Sequence, residues 1–284
     1  MENHNQEWDI VLKPNVSLFE LNLKDVWKYR DLLFLLVKRD YVASFKQTIL
    51  GPLWFFIQPI LTTLVFVVIF GKVAKLGPDN MPAMLFYLSG VILWNYFSNC
   101  LTATASTFVS NASIFGKVYF PRLIMPLSVI ISNLLKFAVQ FAFFLLVYLY
   151  YLVKGEINFS FNAALVLSPV IVLMMAMLSL SFGLLISSLT TKYRDLTHLL
   201  TFGVQLLMYI TPIILPASRF QGTFKYLLEI NPMTGYIEAF RYAFVGSDFF
   251  TWGLLAYSVG VTVVLFFFAA MTFNKVEKSF MDTV

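Results

Sequence analysis

Long apolar runs separated by short polar segments recur along the chain from residue 51 onward. A run of about 18 or more apolar residues is long enough to cross the roughly 30 Å hydrocarbon core of a bilayer. Several runs lack a polar face, which argues against a soluble protein with a large core. The pattern predicts an all-α integral membrane protein with six transmembrane helices. These spans lie at about 51–71, 83–108, 127–152, 163–189, 197–215 and 250–273.

A different pattern precedes the first run. Residues 22–38 read as an amphipathic helix with Asn22 as its N-cap, within an N-terminal segment 1–49. The apolar positions that share one face are Trp27, Leu33, Phe34 and Val37. We predict that this helix lies in the membrane interface. Packing on a soluble partner remains an alternative, and the two do not exclude each other.

Residues 216–248 are too short and too charged for two ordinary spans. Proline and glycine interrupt their moderately apolar pieces, so the segment is expected to form a broken, re-entrant helical hairpin at the outer surface. The transmembrane domain then covers 50–273, and a charged tail covers 274–284.

The distribution of lysine and arginine predicts how the chain is oriented in the membrane. Only 12% of residues are charged and 59% are apolar, and the mean hydropathy is +0.78. The predicted inside segments hold thirteen of the twenty lysines and arginines, and the outside segments hold six. Both termini are therefore expected in the cytoplasm. The net charge of +5 is scattered at segment ends, which does not favour nucleic-acid binding.

Motifs for catalysis are absent from the sequence. There is no phosphate-binding loop, no HExxH and no GxSxG, and no predicted span contains Asp or Glu. A single cysteine, Cys100, rules out a disulfide framework and a cysteine metal site, and we expect no metal. The chain is expected to be a conduit driven by another component and not an enzyme.

Polar side chains recur at helical spacing inside three spans. They are Asn95, Asn99, Thr102 and Ser106 in the second, Ser128, Ser132, Asn133, Lys136 and Gln140 in the third, and His198, Thr201 and Gln205 in the fifth. They either hydrogen-bond neighbouring helices or form the wall of a polar path. A lysine within a span costs roughly 2.5–3.5 kcal/mol on insertion scales, so Lys136 should face protein, water or an anion.

Aromatic residues cluster near the first two spans. The candidates are Trp54, Phe55, Phe56, Trp94, Tyr96 and Phe97. Some aromatic residues must belong to the interfacial belt. The alternative is an aromatic channel wall, since sugar rings stack on aromatic faces.

Three segments carry a family resemblance. The first runs from Arg39-Asp40 through Gly51 to Trp54 and Pro59. The second is Phe120-Pro121-Arg122-Leu123 with Pro126, and the third joins Asn231-Pro232 to Phe240-Arg241-Tyr242. In order and spacing the chain resembles ABC-2 type permeases that export O-antigen, capsular polysaccharide or teichoic acid. It departs from that family at Ser44-Phe45, where Arg-Tyr is often found.

The resemblance implies a homodimer bound to two copies of a separate ABC ATPase, which would hold ATP and Mg. Segment 111–125 would couple to that ATPase through Lys117, Tyr119 and Arg122. Arg39 and Lys46 would receive the lipid diphosphate of a polyprenyl-linked glycan at the inner membrane. Asn95, Asn99, Gln205 and the aromatic cluster would line the channel. An ABC-2 permease for a drug or lipid remains an alternative, and a membrane-embedded transferase acting on polyprenyl lipids is a further one.

Overall fold

The computed structural model describes residues 23–115, 117–118, 120–159, 161–190 and 195–279. Within these ranges the chain is helical and contains no β-strand. The first helices are α1 (Leu23–Lys28), α2 (Arg30–Ala43), α3 (Trp54–Phe66), α4 (Ala83–Ser110) and α5 (Ala112–Phe115). They are followed by α6 (Ile124–Val153), α7 (Ala163–Thr190), α8 (Leu196–Tyr209), α9 (Thr223–Ile230), α10 (Pro232–Phe244) and α11 (Trp252–Ser279). The predicted all-α class is confirmed for the described residues.

Four helical segments are long and apolar enough to cross a membrane. They are Gly51–Val73, Ile124–Val153, Ala163–Thr190 and Trp252–Lys275. Helix α4 lies where the second span is predicted, but its serine, threonine and asparagine residues lower its hydropathy. Helix α8 lies where the fifth is predicted, but it ends at Tyr209 after 14 residues. The structure thus supports a multi-pass membrane protein with four clear candidate spans.

The first of these segments changes its helical form along its length. Gly51 has a φ of +54°, and Pro52 stands at the start of a short 3₁₀ turn that leads into α3. After Phe66 the helix continues to Val73 with π-helical bonds, and the Ala74 N–H donates to the Ile69 carbonyl at 2.8 Å. Between residues 51 and 73 only Pro59 and Thr63 are buried. This segment is therefore the least enclosed of the candidate spans.

Helix α4 is largely buried and packs on α7 and α6. The close approach of α4 to α7 depends on Gly183, since a Cβ there would lie 2.5 Å from the Thr104 Cβ. Thr190 also donates its hydroxyl to the Ala105 carbonyl at 2.8 Å across the same interface. Because protein surrounds α4, its polar residues can be satisfied by packing without facing lipid.

The predicted amphipathic helix is present in two pieces. A break at Tyr29 separates α1 from α2, and α2 continues to Ala43, beyond the predicted end at residue 38. Leu36 and Val37 are buried where α2 packs on α6, while Trp27 and Phe34 are 71% and 65% exposed. The predicted shared face of Phe34 and Val37 is therefore divided, because α6 covers only one side of α2. Asn22, the predicted N-cap, lies outside the described residues.

The segment 216–248 is helical and broken, as predicted. A 3₁₀ turn at Ala217–Arg219 precedes α9, and α10 begins at Pro232. Asn231 caps α10, because its side-chain oxygen accepts from the Met233 N–H at 3.0 Å, and Pro232 suits the first helical position. The Asn-Pro pair thus both ends α9 and starts α10.

The buried Arg241 joins α10 to the rest of the bundle. The Arg241 side chain is fully buried, and its Nη1 lies 2.9 Å from the Glu238 Oε1. Nη1 also donates to the Pro212 carbonyl, Nη2 donates to the Phe86 carbonyl at 3.1 Å, and Nε donates to the Ser89 hydroxyl at 3.4 Å. The guanidinium carbon also lies 3.7 Å from the centre of the Phe86 ring. Arg241 is therefore a structural charge that joins α10, α4 and the turn after α8.

Candidate functional site

A polar cavity of about 770 Å³ opens at one end of the bundle. Its walls come from α2, the second half of α4, the first half of α6 and the start of α8. The lining residues are Arg39, Asp40, Asn99, Thr102, Ala103, Ser106, Thr107, Ser110, Asn111, Val129, Ser132, Asn133, Lys136, Thr197, His198, Leu200 and Thr201. This cavity is the candidate functional site.

On each of two helices, the side chains that line the cavity recur every three to four residues. On α4 the stripe runs through Asn99, Thr102 and Ser106, and on α6 it runs through Val129, Ser132 and Lys136. Such spacing places the side chains on one face of each helix. Eight of the twelve polar positions singled out in three separate spans therefore line one cavity, in the arrangement that a polar path requires.

The cavity extends well into the bundle. Lys136 lies twelve residues after Ile124, which is about 18 Å along α6 at 1.5 Å per residue. Asn99 lies eleven residues before Ser110, at a similar depth of about 16 Å along α4. Asn111 and Thr197 line the shallow end, so the cavity connects the end of the bundle with its middle.

Charged residues occupy both sides of the cavity. Arg39 on α2 binds the neighbouring Asp40 through Nε and Nη2, each 2.8 Å from Oδ1. The Ser128 hydroxyl lies 3.5 Å from the other oxygen of Asp40. Lys136 faces the same space from α6, and no hydrogen bond or ion pair joins it to another described residue. Two cations and one carboxylate give the lining a positive excess.

Most of the hydroxyl groups bond to their own helix. Thr102 donates to the Ser98 carbonyl at 2.7 Å, and Thr201 donates to the Thr197 carbonyl at 2.9 Å. In contrast, the side chains of Asn99 and His198 make no hydrogen bond within the described ranges. The cavity therefore presents hydroxyl lone pairs together with an amide and an imidazole that have free hydrogen-bonding capacity.

The structure separates the two residues predicted to receive the lipid diphosphate. Arg39 lines the cavity, whereas Lys46 is exposed in the turn after α2 and does not line it. Two of the predicted channel residues are also outside the cavity lining. Asn95 is half-buried on α4, and Gln205 is exposed on α8.

The aromatic candidates fall into two groups. Trp94, Tyr96 and Phe97 are almost completely buried within the chain, and the Tyr96 ring packs 5.3 Å from that of Phe137. Their burial favours a packing role over contact with a passing substrate. The remaining three are Trp54, Phe55 and Phe56. Trp54 is 45% exposed, Phe55 packs near Tyr41 and Phe45, and Phe56 packs near Phe143.

The predicted coupling segment lies at the same end of the bundle as the cavity. It joins the end of α4 to the start of α6 and includes α5, a helix of only four residues. Lys117 is exposed and Arg122 is half-buried. Tyr119 lies outside the described residues. Among the residues that the structure describes, no group of three His, Cys, Asp or Glu side chains could hold a metal.

Asp40 is a cavity residue that the candidate sites drawn from the sequence did not include. It follows Arg39 directly, and the Arg39-Asp40 pair that begins the first motif segment was the signal that could have found it. The contribution of α2 to the cavity could not be read from the sequence, because it depends on how α2 packs against α6.

Comparison with known proteins fits this arrangement. A family model described as ABC-2 type transporter matches residues 31–245, which is most of the chain. The chain belongs to the ABC-2 type transporter family. The match spans α2 to α10 and so includes every helix that lines the cavity. This family membership identifies a membrane transport subunit and confirms the resemblance seen in the three motif segments.

Relatives within the family have more specific names. The O-antigen export system permease protein RfbA of Myxococcus xanthus is 27% identical over 264 residues, covering 92% of this chain and 98% of that protein. A Klebsiella pneumoniae protein of the same name is 24% identical over 257 residues, covering 89% and 94% of the two chains. The similarity therefore extends over nearly the full length of both chains.

Proposed function

We propose that this chain is the transmembrane permease subunit of an ATP-driven ABC exporter for a polysaccharide linked to a polyprenyl diphosphate. The cargo would be of the O-antigen, capsule or teichoic-acid type. The observation that carries the proposal is the near full-length similarity to permeases named for O-antigen export. The positively charged polar cavity agrees with it, because a diphosphate lipid needs cations and hydrogen-bond donors inside the membrane.

The proposal includes six crossings and cytoplasmic termini. The 28 residues of α4 span about 42 Å, enough to cross a hydrocarbon core of about 30 Å. The 14 residues of α8 span only about 21 Å, so the turn after Tyr209 and the hairpin of α9 and α10 would complete this part of the membrane domain as a re-entrant segment. With the termini inside, the polar cavity opens to the cytoplasm.

The assembly we propose is a homodimer with two copies of a separate ATPase, which would bind ATP and Mg. Helices α3 and α8 support this, since each leaves most of its apolar side chains uncovered. In α8 only Val204 is buried, while Leu199, Phe202 and Leu206 are exposed. Segment 111–125 would contact the ATPase at the cytoplasmic end, where Lys117 is accessible.

In the proposed cycle, the lipid diphosphate leaves the inner leaflet near Arg39 and enters the cavity. ATP binding then moves the ATPase subunits, and segment 111–125 transmits this motion to α4 and α6, the two helices that it joins. The glycan follows through a path between the two protomers. Weak contacts along that path, such as those of the exposed Trp54, allow it to slide.

Deletion of the gene in cells that carry it tests the proposal. We expect the surface polysaccharide to disappear and its lipid-linked form to accumulate on the cytoplasmic side, with both effects reversed by the wild-type gene. Export of a drug or an unglycosylated lipid, as in other ABC-2 permeases, would leave the surface polysaccharide unchanged. That result would overturn the proposed cargo but not the family assignment.

A further inference from the structure

We propose that Lys136 and Arg39 together bind the diphosphate group of the lipid-linked substrate inside the polar cavity. The inference rests on the proposed function and names the residues that hold its substrate. Lys136 takes the role of diphosphate ligand that the family resemblance suggested for Lys46. Lys46 lies outside the cavity lining.

The surroundings of Lys136 are unlike those of a structural charge. The fully buried Arg241 shows how this fold satisfies such a charge, with one carboxylate, two carbonyls and a hydroxyl around the guanidinium. Lys136 lies about 18 Å along α6, yet it has no hydrogen bond or ion pair with another described residue. An ammonium group this deep in a span needs a partner, and the cavity in front of it can admit one.

Two further side chains in the cavity have free hydrogen-bonding capacity. Asn99 on α4 and His198 on α8 both line it and make no side-chain hydrogen bond within the described ranges. Within the described residues, Lys136 and these two side chains make no side-chain hydrogen bond, and they face one space from three helices. Asn99 and His198 are exposed in the cavity, so both can bond to a ligand that enters it.

The net positive charge of the cavity lining favours an anionic ligand. Arg39 and Lys136 outnumber Asp40, which is bound to Arg39 by two nitrogens at 2.8 Å and also attracts Lys136 electrostatically. A diphosphate offers several charged oxygens, so it can bind Lys136 and compete with Asp40 for the guanidinium. The amide of Asn99 adds a neutral donor.

The size of the cavity also fits a head group. Its volume of about 770 Å³ falls within the range of about 300–1,000 Å³ that is typical of small-ligand sites. It can hold a diphosphate with an adjoining sugar, while the chain end of the isoprenoid stays in the lipid. The depth of Lys136 would place the diphosphate well inside the bundle and not at its rim.

The test uses the complete transporter, permease with its ATPase, in phosphatidylcholine nanodiscs. Farnesyl diphosphate serves as the probe, because it carries the diphosphate on a short, soluble isoprenoid. We expect Lys136→Gln to weaken its binding by about tenfold to hundredfold, the loss of one charged hydrogen bond. Lys136→Arg is expected to stay within about threefold of wild type, because it keeps the charge.

Lys154→Gln is the matched control, since Lys154 follows the other end of α6 and pairs with Glu156. This variant is expected to bind farnesyl diphosphate as tightly as the wild type does. Asn99→Asp tests the same site without removing Lys136: a carboxylate at this exposed position is expected to weaken binding through repulsion. Size-exclusion profiles and thermal midpoints show whether each variant is folded. If Lys136→Gln does not fold, the binding measured for Asn99→Asp tests the site.

The outcomes separate this inference from the proposed function. If wild type binds farnesyl diphosphate and both Lys136→Gln and Asn99→Asp bind it equally well, the site assignment is wrong and the proposed cargo stands. If wild type binds neither farnesyl diphosphate nor a polyprenyl diphosphate, the cargo itself is wrong. Equal binding of farnesol would show recognition of the isoprenoid and would overturn the assignment of Lys136.

Discussion

Replacement of Arg241 by glutamine would test whether this buried charge holds α10 in place. The Arg241 side chain is 0% exposed and that of Glu238 is 3% exposed. Glutamine is too short to reach the Phe86 and Pro212 carbonyls together with Glu238 as arginine does. The Glu238 carboxylate would then keep only the Ser247 hydroxyl as a partner.

The expected cost follows from this burial. Removing one partner of a buried ion pair costs about 3–5 kcal/mol, because the other charge remains in a medium that solvates it poorly. Arg219→Gln is the matched control. Arg219 binds both oxygens of Asp79 at 3.0 Å, but these side chains are 42% and 74% exposed, so its loss should cost at most about 1 kcal/mol.

The assay is reversible unfolding of the purified permease in mixed micelles, followed by far-ultraviolet circular dichroism. We expect Arg241→Gln to lower the free energy of unfolding by about 3 kcal/mol or more and Arg219→Gln by no more than about 1 kcal/mol. The double variant Arg241→Met with Glu238→Leu should lose less than Arg241→Gln, because it leaves no buried charge. Equal stability of Arg241→Gln and Arg219→Gln would refute this reasoning.

Two further predictions concern helix packing and cavity charge. Gly183→Ala is expected to lower the unfolding free energy by about 1–3 kcal/mol because its Cβ would collide with Thr104, whereas Gly203→Ala, with no neighbour within 4 Å, should be near neutral. Equal thermal midpoints of the two variants would contradict this. Asp40→Asn is expected to tighten farnesyl diphosphate binding several-fold in nanodiscs, since it removes the carboxylate that competes for Arg39. Unchanged or weaker binding would count against that competition.

The sequence predicted the helices better than their environments. All six predicted spans coincide with helices, because long apolar runs with helical periodicity leave few alternatives. The fifth ends early, at Tyr209, because Thr211 and Pro212 leave the helix and contact Asn231 and Arg241 instead. Such contacts join residues distant in sequence, so local apolar character could not reveal them.

The candidate site was predicted in part. The polar stripes through Asn99, Lys136 and His198 were visible from spacing alone, and their convergence required the fold. Whether Trp94 and its aromatic neighbours face protein, lipid or a channel could not be read from the sequence, because it depends on which helices pack against α4. The burial of Arg241 could not be read from the sequence either, because it depends on contacts of α10 with α4 and with the turn after α8.

Photocrosslinking would test most directly that the lipid-linked substrate enters the polar cavity. A photoreactive amino acid would replace Asn99 in the cavity or Leu146, which is 66% exposed on α6 away from it. In membranes loaded with the radiolabelled polyprenyl diphosphate glycan, we predict strong crosslinks from position 99 and only background from position 146. Saturating farnesyl diphosphate should abolish the crosslinks from position 99. Equal labelling at both positions, or none at position 99 in a transporter that exports the glycan, would contradict the account.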